Sequence, residues 1–470
     1  MTMIAISHLD KKHLNVVLCI GGVMICTKFC YNIIIKLSMS GKSKNHVVKF
    51  FHNFFKPFFN CGFLMRREFF VKLPSYPIRL TKKSYVIVNY GSYGTVPIKV
   101  QQYQFNVQKE LEYCPDLFNR LTLHKRYEQS RVTVASAVGC EPDNLVFVEN
   151  LTEAITCSLR SLLNCLKKND AVLCLRSVAY GAVVKAIDVL ANEYHIEVVD
   201  LDLQFPIFSK NDVLIKFEEI FINYPCVKLA VFDHITSASS VVLPIKELGE
   251  ICRKYNVISV VDGAHAPGQL YLNIDSYNVD VYLGNLHKWY YTPKSCAIMC
   301  VNKKWHDKMQ PSWVSHATYG GFQDRFFMQG TKNYSAMVSA GYAVNEFTEC
   351  IGGLDHLHSY IPPLIEWVVK LYISKWETEE VQIPADMKAP YMRTVYLPDI
   401  FTEVYGNAPN APANLMKEFL EEENVAVVIL TVQNRMATRV SAQIFSTKRE
   451  FIIVANLIKK KADELRVLCL

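Results

Sequence analysis

Lys288 sits in an odd setting, inside Gly284-Asn285-Leu286-His287-Lys288-Trp289. The apolar run Val279-Asp280-Val281-Tyr282-Leu283 before it reads as a strand, so the lysine falls just past a strand's carboxyl end. An amine held in a dry pocket loses proton affinity and becomes a nucleophile toward carbonyls. One that reaches back to water merely caps the strand. Other residues sharpen the choice. "VVDGAHAPG" (260–268) ends an apolar strand on Asp262, where a carboxylate needs a cation or hydrogen-bond donors. His265, three residues on, either meets a ligand or fills a turn. "NLTEA" (150–154) puts Asn150, Thr152 and Glu153 where a strand turns into a helix. Free N–H groups and the helix dipole favour a phosphate there, although side-chain capping is the plainer reading. Arg439 interrupts the apolar run "ATRVSAQIF" (437–445), offering a bidentate fork to a carboxylate or an ordinary ion pair.

The elements that must position these residues begin near residue 145. "LVFVEN" (145–150), "AVLCLR" (171–176), "IEVVDLD" (196–202), "VKLAVFDHI" (227–235), "VISVVDGAH" (257–265), "VDVYLGN" (279–285) and "CAIMCVN" (296–302) read as strands. Amphipathic stretches lie between several of them, such as 152–166, 180–194 and 245–256. Short continuous apolar strands separated by helices predict an α/β fold, with a mostly parallel sheet covered on both faces. Ligands of such sheets bind beyond the carboxyl ends of the strands, which is the common address of Asn150, Asp262 and Lys288. After about residue 335 the pattern changes to a helix and then a smaller α+β region. The division expected is an extension over 1–61, an arm over 62–130, a large domain over 131–335 and a small C-terminal domain over 336–470. A phosphate cradle, an acid for a pyridinium nitrogen and a lysine for an aldehyde together match pyridoxal 5'-phosphate.

Composition excludes several other readings. Half of the 470 residues are apolar and a fifth are charged, which is a globular balance. The net charge of +7 is concentrated at one end: residues 1–80 carry 12 Lys/Arg against 2 Asp/Glu, and the remainder is slightly acidic. With no interleaved basic and aromatic motif, no nucleic-acid partner is expected. The fifteen cysteines form no CxxC and no zinc spacing, so no metal site is expected. Their scatter through apolar runs suits a reducing compartment, and the protein is expected in the cytoplasm. The alternative is a membrane anchor: 14–35 is strongly apolar but broken by Lys28, and 36–60 is basic and aromatic enough to lie on an anionic surface. Met39 and Met65 would also permit a dispensable leader.

The motifs "NYGSYGTVP" (89–97), "VENLTEA" (148–154), "AYGAV" (179–183), "DHITSASSVVLPI" (233–245), "VVDGAHAPG" (260–268), "YLGNLHKWYYTPKS" (282–295), "QGTKNYSA" (329–336) and "RVSAQIF" (439–445) occur in that order. Over roughly 62–470 the sequence resembles class V aminotransferase-fold enzymes, fold type I pyridoxal-phosphate enzymes. Within them it is similar to the isopenicillin N epimerase-like and cysteine desulfhydrase-like branch. The resemblance implies that Lys288 forms the internal aldimine, that Asp262 pairs with the pyridine nitrogen and that His265 meets the phenolic oxygen, with Ser237 on the same side. It implies Tyr180 stacked on the ring, and Asn150, Thr152, the Glu153 backbone, Asn285 and His287 around the phosphate. Thr331 would reach the phosphate of a neighbouring subunit in a homodimer. Arg439 would grip the substrate carboxylate, and Asn89, Tyr90 and Tyr93 would line the substrate pocket. The departures from the family pattern, among them Tyr90 for a histidine and Phe445-Ser446 after the arginine strand, fall mostly on the substrate side.

Removal of the α-proton of an amino acid leads to three outcomes: β-elimination, epimerisation or transamination. A persulfide-forming desulfurase also needs a mobile cysteine shortly before the arginine strand, and 421–438 contains none. A carbon–sulfur β-lyase acting on cysteine or a related amino acid is the leading expectation. Epimerase or aminotransferase activity is the alternative, and a catalytically inactive dimeric or membrane-tethered scaffold is the non-enzymatic one.

Overall fold

The computed structural model describes residues 85–406, 408 and 410–469. The apolar 14–35 and basic 36–60 stretches lie outside them. Among the described residues no helix is long and apolar enough to cross a membrane.

A seven-stranded sheet forms the centre. Its strands are β2 (Leu145–Val148), β3 (Ala171–Cys174), β4 (Glu197–Asp200), β5 (Val227–Asp233), β6 (Ile258–Asp262), β7 (Val281–Asn285) and β8 (Ala297–Val301), in the order β2-β8-β7-β6-β5-β3-β4. Pairing from β7 through β4 is parallel, and β8 alone runs antiparallel to both of its neighbours. All residues of β2, β3, β7 and β8 are buried, as continuous apolar strands covered on both faces should be. The two-residue alternation sorts them into two cores. Leu145, Phe147 and Val261 face one side, and Val146, Val148 and Val260 the other.

Helices α3 (Leu151–Leu163), α4 (Gly181–Glu193), α5 (Lys210–Asn223) and α6 (Ile245–Lys254) connect the strands and pack on the sheet. Before them come α1 (Ile98–Tyr113) and α2 (Leu123–Val138). Because α2 is continuous across residues 130 and 131, the division expected there falls inside an element. Helix α7 (Ser335–Gly341), buried throughout, opens the C-terminal part. That part holds a three-stranded antiparallel sheet of β9 (Met392–Tyr396), β11 (Ile429–Val432) and β12 (Arg435–Ser441), with α8 (Gly353–Trp376) packed on β9 and α9 (Lys448–Leu468) packed on α8.

A small parallel pair ties the start of the described chain to this C-terminal part: β1 (Val86–Ile87) beside β10 (Val425–Ala426). Ser441 N–H then donates to Val88 O at 3.0 Å, and Gly91 N–H to Ser441 Oγ at 3.0 Å. The "NYGSYG" stretch is thereby laid along the end of β12, against the turn that carries Lys288.

Candidate active site

Strand ends build the site. Asp262 ends β6, and its Oδ1 accepts from Ala264 N–H at 2.9 Å, so the carboxylate is fixed by its own turn. After β7 the chain makes one helical turn, Leu286–Trp289, which delivers Lys288 to the same place. Lys288 Nζ lies 3.1 Å from His265 Nε2. The other nitrogen of that ring, Nδ1, is buried without a partner. Beside them is a cavity of about 160 Å³ lined by Asp262, His265 and Lys288, by Asn150, Leu151 and Thr152, and by Tyr180, Ser237, Asn285 and His287. Ser92, Asp233, Ile235 and Ala264 complete the wall.

Electrostatics in this pocket depart from those of water. Desolvation, with the Arg439 charge second, lowers Lys288 to about 7, while the Asp262 carboxylate pulls the other way. Burial and the Lys288 charge keep His265 neutral. His287 is lowered to about 4 by burial and Lys288, and its Nδ1–H donates to Cys296 O at 3.2 Å. Burial raises the Asp262 carboxyl, and it raises Asp233 well above the carboxylate range with help from the Asp262 charge.

The N-terminus of α3 opens onto the cavity. Asn150 caps it by accepting Glu153 N–H at 3.0 Å, and Asn285 Oδ1 accepts Leu151 N–H at 3.1 Å. Glu153 itself turns away, its carboxylate accepting Glu149 N–H at 2.7 Å.

Arg439 is buried on β12, and its hydrogen-bond partners are all neutral. Nη1 donates to Ser237 O at 2.9 Å and Ser237 Oγ at 3.2 Å, and Nη2 to Ser92 Oγ at 2.9 Å and Asn89 Oδ1 at 3.4 Å. Nε is buried without a partner. A buried guanidinium with no carboxylate beside it is costly, and an incoming anion would relieve that cost. Ser92 Oγ donates in turn to Asn89 Oδ1 at 2.6 Å, so the pair steadies the arginine from below.

Not every expected residue reaches the cavity. Tyr90 is buried with its ring edge-on to Phe445, centroids 4.9 Å apart, and Tyr93 is 73 % exposed. Neither is in the cavity wall, and Asn89, Glu153 and Arg439 are outside it too. Thr331 is exposed in the single protomer and also away from it. Tyr180 is at the mouth, half exposed. Sequence reasoning gave no role to Ser92 and Asp233. Asp233 carries the same signal as Asp262, an acid closing an apolar strand, and that signal could have found it. Ser92 has only its place in "NYGSYG".

The residues fit pyridoxal phosphate. The N-terminus of α3 would suit a phosphate, the Asp262 carboxylate a pyridinium nitrogen and the Lys288 amine an aldehyde, and the buried His265 Nδ1 has no partner within the protein. Both the sheet order and this site define a fold type I pyridoxal-phosphate enzyme. Residues 118–394 match the family described as aminotransferase class-V, and the chain belongs to that family. It is similar to hercynylcysteine sulfoxide lyase of Schizosaccharomyces pombe, 25 % identical, covering 80 % of this chain and 94 % of the relative. It is 30 % identical to putative L-cysteine desulfhydrase 1 of Oryza sativa subsp. japonica, covering 62 % of this chain and 63 % of that one. Among solved structures, cysteine desulfurase from Thermococcus onnurineus NA1 superposes with a TM-score of 0.64 at 17 % identity, over 81 % of this chain and 95 % of that one. A C-DES mutant with glycine covalently linked to its PLP cofactor gives 0.68 at 15 % identity, over 80 % and 96 %. These two show the shared fold.

Proposed function

We propose that this enzyme is a carbon–sulfur β-lyase acting on cysteine or an S-substituted cysteine, with Lys288 as both cofactor attachment point and general base. For cysteine the balanced reaction is amino acid plus water giving pyruvate, ammonia and hydrogen sulfide. When bound, pyridoxal phosphate supplies an electron sink for the pair left on the α-carbon. The remaining tasks fall to the chain. Asp262 presents a fixed negative charge to the pyridine nitrogen, and His265 a neutral imidazole to the phenolic side. Asn150, Thr152, Asn285 and His287 hold the phosphate at the start of α3, and Tyr180 covers the open face. Arg439, steadied by Ser92, Asn89 and Ser237, takes the α-carboxylate. That contact leaves the α-proton to the Lys288 amine, which is a competent base because its proton affinity lies near 7.

One observation carries this reading: an amine lowered to about 7 stands 3.1 Å from a neutral histidine, in the same cavity as Asp262. The names of the two relatives support cleavage at sulfur. Epimerisation would want an acid on the far face, and Tyr90 and Tyr93, the tyrosines of the "NYGSYG" stretch, lie outside the cavity wall. The assembly proposed is a homodimer in which Thr331 serves the neighbouring site.

Incubation of the cofactor-loaded enzyme with L-cysteine and S-substituted cysteines is expected to release pyruvate and ammonia together with sulfide or the matching thiol. Lys288→Ala should lower the rate at least about a thousandfold, the combined scale of a lost base and a lost covalent anchor. Solvent deuterium at an inverted α-carbon, with no sulfur product, would overturn the lyase in favour of an epimerase.

A further inference from the structure

Asp233 has no part in the scheme above, yet it faces the same cavity. It closes β5 in register with Asp262 at the end of β6. In-register neighbours on adjacent strands project to the same face of a sheet, and both side chains line the cavity. Each is 3 % exposed. Two carboxylate charges side by side and out of water repel, so one of the two keeps a proton. Asp262 has a backbone donor to stabilise its charge, Ala264 N–H at 2.9 Å. Asp233 is raised further by burial and by the charge of Asp262, against smaller opposing pulls from Lys288 and its own backbone N–H, which makes it the proton holder.

The surrounding groups agree with that assignment. Lys288, from the turn after β7, is the cation whose charge reaches both carboxyls. His265 and His287 are neutral in this pocket. His234, next in the chain, is buried with Nδ1 2.7 Å from the Tyr282 hydroxyl, and burial keeps it neutral too. The unpartnered His265 Nδ1 marks the same cavity as awaiting a ligand.

We propose that Asp233 is a positioning residue, a neutral carboxylic acid whose O–H hydrogen-bonds the Asp262 carboxylate so that one negative charge, not two, meets the pyridine nitrogen. It acts through Asp262 and touches no reacting atom. The inference rests on the cofactor reading above and specifies how that reading's acid is held.

The test uses the full chain stripped of cofactor and titrated with pyridoxal phosphate, following the visible band. Asp233→Asn keeps the shape, the neutrality and an N–H donor, while Asp233→Leu keeps the size and removes the donor. Asp233→Asn should bind within about threefold of wild type, and Asp233→Leu about tenfold or more weakly, as expected for a hydrogen bond to a charged group. Equal weakening in both variants would mean that a charge is needed, and would overturn the proposal. So would unchanged binding in Asp233→Leu. If that variant does not fold, the pH midpoint of the visible band decides on Asp233→Asn alone. A midpoint within about half a unit of wild type supports a neutral acid, and a displacement of about one unit or more overturns it. Wild-type protein that took up no pyridoxal phosphate would overturn both this proposal and the reading beneath it.

Discussion

Lys288 is poised by opposing influences, and their signs make it testable without substrate. Loss of water is the strongest of them and lowers its proton affinity. Arg439 lowers it further, and the Asp262 carboxylate restores part. The amine of the cofactor-free protein should therefore capture aldehydes faster as pH rises through about 7 and then level off. Arg439→Gln removes one lowering charge, so the midpoint of that curve should move upward. An unmoved midpoint would remove Arg439 from the account of the amine. Linkage gives a second consequence. An unfolded lysine keeps its proton to about 10.4, so between about 7 and that value the unfolded chain binds more protons, and the stability of the cofactor-free protein should rise with pH across this window. Lys288→Met should flatten the rise in a thermal unfolding series. At this scale much was legible in the sequence. Lys288, Asp262 and Arg439 stand out because a charge inside an apolar run demands a reason. Asp233 made the same demand, and its motif drew attention to Ser237 instead. The placements of Tyr90 and Tyr93 depend on which face of a four-residue turn each occupies, and residue type does not encode that.

At the scale of elements, the approach of "NYGSYG" to the lysine turn is the tightest feature. Gly94 has φ 62° and ψ −169°, a region that only glycine occupies readily. A β-carbon there would lie 1.8 Å from His287 O and 2.9 Å from Lys288 Cα. Gly94→Ala should therefore cost about 1–3 kcal/mol from the backbone alone. It should also displace the lysine turn, weakening pyridoxal phosphate binding as well as lowering Tm. Full cofactor affinity in the variant would show that the turn does not depend on this contact. The strands and helices of the large domain were readable because their apolar runs and amphipathic stretches alternate. The reversed direction of β8 was not, since a continuous apolar run carries no sign of its orientation. Nor was the pairing of β1 with β10, or of residues 88–91 with Ser441. Those contacts join chain ends about 340–350 residues apart, and local pattern says nothing about partners so distant.

For the whole molecule, the open question is assembly. The stretch before Thr331 leaves Trp313, Val314 and Tyr319, three large side chains, exposed among the described residues. Such clustered apolar exposure marks an interaction surface, and the homodimer proposed above would use it. The proposal has a sharp consequence for shared sites. Lys288→Ala and Thr331→Ala homodimers should each be impaired. If Thr331 is donated to the neighbour, mixing the two under exchange should restore one complete site per heterodimer, and with half of the dimers in an equal mixture being heterodimers, activity should recover toward about a quarter that of wild type. No recovery despite demonstrated subunit exchange would place Thr331 in its own subunit's site or in none.

The central claim is that one amine holds the cofactor, and reduction can trap that bond directly. Borohydride treatment of the pyridoxal-phosphate-loaded protein, followed by peptide mass spectrometry, should place a single phosphopyridoxyl group on Lys288. Modification at a different lysine, or none at all in protein that has retained its cofactor, would contradict the account.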